Sequence, residues 1–126
     1  MSSNLWPDFK VEPKTRSPKA VIEELGKGLE EKTGSAVRFS FSGTSIKGDQ
    51  VRSAFSLYSP RLGYGYPFLR AIFPVDKFYP VRVIADKVDE ITANNESELI
   101  EALAKVFNSP TTIETIQRLL TLATGR

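Results

Sequence analysis

Val37-Arg38-Phe39-Ser40-Phe41-Ser42, the turn Lys47-Gly48-Asp49 and the run Val51-Arg52-Ser53-Ala54-Phe55-Ser56-Leu57-Tyr58 decide the fold class. Val37, Phe39 and Phe41 alternate with Arg38, Ser40 and Ser42, and Val51, Phe55 and Leu57 alternate with Arg52, Ala54, Ser56 and Tyr58. A period of two is the signature of a strand with one face in the core and one in water, and a glycine turn between two such runs makes a hairpin.

Working C-terminally, Leu62-Gly63-Tyr64-Gly65-Tyr66-Pro67 precedes a third strand of about seven residues through Phe73, which Pro74 closes. A fourth strand spans Tyr79 to Ala85, with Tyr79, Val81 and Val83 on one face and Arg82 and Ile84 on the other. Glu90 to Ala93 is a short extended piece at the edge.

Helices flank these strands on both sides. Ser17-Pro18 is a helix start, because the serine oxygen caps free amides and proline lacks the N–H that the first turn leaves unpaired. Val21, Ile22, Leu25 and Leu29 follow at helical spacing, with Gly34 placed to end the helix in the left-handed conformation. Gly26 and Gly28 inside it each cost about 1 kcal/mol against alanine, so either the helix breaks near Gly26 or another group approaches its backbone closely there.

Beyond the strands, Asn95-Glu96-Ser97-Glu98 is a capping box, and Leu99, Ile100, Leu103, Val106 and Phe107 form the apolar stripe of the helix that follows. Asn108-Ser109-Pro110 ends that helix and starts the last one, whose stripe is Ile113, Ile116, Leu120 and Ala123 with Leu119 and Leu122. The expected architecture is α+β: one N-terminal helix, a four-stranded mostly antiparallel sheet, and two C-terminal helices packed on one face. Residues 1–16, with Pro7 and Pro13 and no sustained period, are expected to form an extended arm anchored by Leu5, Trp6, Phe9 and Val11, with Trp6 docked on the domain in preference to the alternative, an exposed contact for a partner; residues 17–126 are expected to form a single domain.

Charge is unevenly distributed. Between Ala36 and Arg82, five arginines and two lysines face two acids, a net +5, and ten of the twelve Phe and Tyr residues lie in the same stretch; the whole chain is only +2. With all strands in one sheet, Arg38, Arg52, Arg70 and Arg82 share the face opposite Phe39, Phe55 and Val81, and Tyr58, Tyr64 and Tyr66 share its parity. Phe68 and Ile72 have that parity too, so the arginine face is expected to be partly covered, by the arm or by another subunit. Arg61-Leu62-Gly63-Tyr64-Gly65-Tyr66-Pro67 is the least ordinary local segment, pairing tyrosines with glycines that let a ligand or partner come close.

Several chemistries have little to stand on. The chain has no histidine and no cysteine, which removes the commonest general base and metal ligand, the thiolate nucleophile and any disulfide. Gly26-Lys27-Gly28 lacks the strand, spacing and following helix of a phosphate loop. Asp86, Asp89, Glu90, Glu96, Glu98 and Glu101 are an acidic run, but Asp86-Lys87-Val88-Asp89-Glu90 lacks the spacing and central glycine of a calcium loop. That run suits helix N-termini, and against the basic stretch it also suits self-association between copies.

The expectation is therefore a non-catalytic interaction module, with no cofactor and no metal. It recognises a protein partner or itself through Arg38, Arg52, Tyr58, Arg61, Tyr64, Tyr66, Arg70 and Arg82. The alternative is that the same arginines and tyrosines bind an anion, a nucleotide or nucleic acid. No apolar run reaches the roughly 18 residues of a membrane helix and no secretory leader is visible, so a cytoplasmic protein with no membrane partner is expected.

Overall fold

The computed structural model describes residues 5–9 and 16–125. Its elements run α1 (Pro18–Gly26), α2 (Gly28–Thr33), β1 (Arg38–Lys47), β2 (Gln50–Ser59), β3 (Tyr64–Pro74), β4 (Val81–Ala85), β5 (Val88–Ala93), α3 (Glu96–Phe107) and α4 (Pro110–Ala123). The fold is α+β, with one sheet in the order β1-β2-β3-β4-β5 and every neighbouring pair antiparallel. The sheet thus has five strands rather than the expected four, because the edge piece extends back to Val88 and pairs along β4.

Both alternatives for the N-terminal glycines hold. The helix breaks at Lys27 into α1 and α2, and the ring of Phe39 lies so close to Gly26 that a Cβ there would sit 2.1 Å from it. Ser17 caps α1 by accepting a hydrogen bond from the Ala20 amide, and Gly34, at φ 59°, closes α2 in the left-handed conformation. The C-terminal signals are equally local: Asn95 caps α3, Glu98 reaches back to the Asn94 amide (2.9 Å), and Ser109 caps α4.

Helices α1 to α4 pack on one face of the sheet, where Val21, Ile22, Leu99, Leu103, Val106 and Leu119 meet Phe55, Leu57, Ala71, Val81 and Val83 in a continuous core. An aromatic cluster lies beneath the helical layer. Phe39 stacks on Phe55 (5.4 Å between centroids) and meets the edges of Phe68 (6.1 Å) and Phe107 (5.9 Å).

Two irregularities interrupt the sheet close together, one in β1 between Phe41 and Gly43, the other in β3 where Pro67 pairs with Ser56 but Leu69 pairs with Phe55. Phe68 is the extra residue of the second. A bulge resets the alternation of its strand, so Phe68 turns into the core and every β3 residue before it has the opposite parity from that expected. Tyr66, paired with Leu57, accordingly packs against the core. The third strand also starts earlier than expected, at Tyr64, which leaves only the turn around Pro60–Gly63 of the 61–67 loop outside the sheet.

The described part of the N-terminal arm, residues 5–9, has no regular secondary structure, and its large side chains are in water: Leu5 is 96%, Trp6 76% and Phe9 77% exposed. Trp6 and Phe9 lie in contact, 6.4 Å between centroids. The expected docking of Trp6 on the domain is therefore not seen, because neither ring is buried; Val11 lies outside the described residues.

Candidate functional site

Cross-strand register builds the outer face of the sheet, the one that carries no helix among the described residues. Ser45, Arg52, Ile72, Arg82 and Thr92 form one row straight across all five strands. The next row is Gly43, Ala54, Arg70 and Ile84, and a third joins Arg38, Tyr58 and Gly65. Arg38, Arg52, Arg70 and Arg82 thus share one face, as the alternation predicts. Tyr58 joins them, and its backbone pairs directly with Arg38. Arg61 is exposed in the β2–β3 turn, while Tyr64 pairs with buried Ser59 on the helical side, beyond the core and half exposed.

Ile72 shows how this face manages its apolar surface. It is absent from the core under the helices yet only 5% exposed, held between Arg52 and Arg82 in its row. Long basic side chains cover apolar surface with their methylene stems while their heads reach for water or a partner. The expected covering by the arm falls largely on residues outside the described ones, and the described residues 5–9 are exposed.

The arginines differ in what holds them. Arg82 makes a two-pronged pair with Glu90 (3.1 and 3.3 Å), and those hydrogen bonds hold the Glu90 carboxyl below its ordinary value. Among the described residues no carboxylate pairs with Arg38, Arg52, Arg61 or Arg70. The Nε of Arg52 is buried and lacks a hydrogen-bond partner among those residues.

Two adjoining concavities lie on this face at the level of the bulges. One, of about 610 Å³, has Ser42, Ser56, Pro67, Arg70, Asp86 and Lys87 in its wall; the other, of about 400 Å³, is bordered by Ser42, Ser45, Arg52 and Arg70. Bulges bend strands and sharpen their twist, and here they stand where the sheet hollows. Arg70 and Ser42 belong to both hollows, so unpaired guanidinium groups sit among hydroxyls that donate or accept. No family model, curated protein or solved structure matches this chain.

Sequence reasoning missed Ser42, Ser56, Asp86 and Lys87 as walls of the larger hollow and Ser45 as a wall of the smaller, because both depend on bulge positions. Only Gly43, with φ 149°, marks the first bulge in the sequence. The acidic run is dispersed among local roles: Glu90 pairs with Arg82, Glu96 with Arg16 (3.1 Å), and Glu98 accepts hydrogen bonds from the backbone and side-chain amides of Asn94, just before the α3 cap. Among the described residues no three acids converge as a metal site would require, and no helix is long and apolar enough to cross a membrane.

The helical side carries a second concavity of about 240 Å³, between α1, α2, α4 and the sheet. Leu25, Leu29, Phe39, Phe68, Phe107 and Ile116 line it, and among the described residues Lys32 is its only charged wall residue. Thr112 is there too, but its hydroxyl already donates to the Val106 carbonyl (2.7 Å), so the lining offers little free hydrogen-bonding capacity.

Proposed function

We propose that this protein is a non-catalytic interaction module that recognises an acidic protein segment on the outer face of its sheet. One observation carries the reading: all helices lie on the other face, and the bare face holds Arg38, Arg52 and Arg70 without carboxylate partners among the described residues. Arginine's planar fork donates two parallel N–H bonds to one carboxylate, and a face carrying three such groups among hydroxyls fits a chain bearing glutamate or aspartate side chains. Tyr58 adds a flat amphipathic contact beside Arg38.

A second reading, an anion site for a nucleotide, is favoured by the size of the adjoining hollows, about 610 and 400 Å³, within the range of small-molecule sites. Amide spectra recorded during titration with a polyglutamate peptide, and separately with ATP, discriminate the two. The peptide is expected to shift amides of β1 to β3 on the outer face, with affinity falling steeply as salt rises, and the double variant Arg38→Ala, Arg70→Ala, at two exposed positions, is expected to weaken that response strongly while unfolding within about 1 kcal/mol of the parent. Shifts with ATP alone select the nucleotide reading; no shift with either probe sinks both.

A further inference from the structure

The helical groove and the N-terminal segment are both open to water in one molecule and complementary between two. Leu5, Trp6 and Phe9 hold three large apolar side chains in water within five residues, whereas the groove between α1, α2, α4 and the sheet is an apolar hollow of about 240 Å³. An apolar groove and exposed apolar side chains each gain by burial against the other, roughly 25 cal/mol for each Å² of apolar surface removed from water. A charge pair is available at the rim: Asp8 stands between Trp6 and Phe9, and Lys32, the only charged residue of the groove wall among the described residues, has no carboxylate partner among them.

We propose that two copies of this chain exchange their N-terminal segments, with Trp6 and Phe9 of each entering the helical groove of the other and Asp8 meeting Lys32 at its rim. A knob and a pocket at different places on one molecule generate open chains unless the exchange is reciprocal; a two-fold pair closes it. The surface involved is separate from the outer sheet face, which stays open in the pair.

Trp6 is the only tryptophan, so its fluorescence reports its own burial. Sedimentation velocity and tryptophan emission are followed over the same range of full-length protein concentration. Dimer formation is expected, with emission shifting to the blue in step with it. The variants Asp8→Lys and Lys32→Glu each set like charges against one another, and each alone is expected to weaken dimerisation on the order of tenfold. Mixing the two variants restores it, because a pair made of one copy of each again sets opposite charges together at both groove rims.

Three outcomes overturn the proposal. One is a monomer with red emission at every concentration; another is a dimer whose emission stays red and ignores both charge variants. The third is blue emission independent of concentration with no rescue on mixing, which assigns the segment to the groove of its own molecule. Asp8 and Lys32 are exposed, so none of these results turns on a failure to fold.

Discussion

Gly26 is where the ring of Phe39 meets the backbone of α1, and a methyl group there would lie 2.1 Å from the ring. Phe39 cannot easily retreat, since it is wedged among Phe55, Phe68 and Phe107. Overpacking of this kind typically costs about 1–3 kcal/mol, so Gly26→Ala is expected to lower stability to urea by about 2 kcal/mol or more. Gly28, two residues on, has nothing within 4 Å of the same added atom and an ordinary backbone conformation. Gly28→Ala is therefore expected to be neutral or to stabilise by up to about 1 kcal/mol. Equal effects at the two positions would remove the close approach as the reason for glycine at 26. Composition flags both residues as anomalies in a helix; only the position of Phe39, thirteen residues further on, separates their roles.

Among the elements, β3 is the one whose sequence reading and structure diverge most. Simple alternation puts Tyr58, Tyr64 and Tyr66 on the arginine face, but the extra residue Phe68 turns Tyr66 under the helices and leaves Tyr58 outside. Truncating the two tyrosines separates these placements. Tyr66→Ala is expected to destabilise by about 2 kcal/mol through lost apolar burial, and Tyr58→Ala by about 0.5 kcal/mol, both read from denaturant midpoints; the reverse order would mean that the bulge lies elsewhere in the strand. Alternation is legible in single strands because the side-chain period is fixed by the backbone. A bulge is legible only where two strands pair, since it is a mismatch in count between them. Helix ends are legible for the complementary reason: Ser17, Gly34, Asn95 and Ser109 act on amides and carbonyls within a turn of themselves.

Across the whole molecule, ion pairs connect elements that packing alone brings together. Arg16 joins Glu24 of α1 to Glu96 at the start of α3, and Arg82 of β4 holds Glu90 of β5. Hydrogen bonds from Arg82, and its charge, lower the Glu90 pKa against the opposing effect of burial. The folded chain thus gives up this proton more readily than the unfolded one. Its contribution to stability is present above the ordinary carboxylate range and is lost as pH falls from about 5 toward and below 4. Glu90→Gln is expected to flatten the dependence of stability on pH in that window, measured by denaturant unfolding at a series of pH values; an unchanged slope would show that the pair does not couple folding to protonation. Strand alternation, the first hairpin, the helix caps and the shared face of Arg38, Arg52, Arg70 and Arg82 are already written in the order of the amino acids, because each follows from backbone geometry within a few residues. The fifth strand's full pairing, the inward turn of Tyr66, the covering of Ile72 by its arginine neighbours, the serine-walled hollows and the apolar groove arise only on folding, because each depends on which distant segments are brought side by side and with how many residues between their contacts.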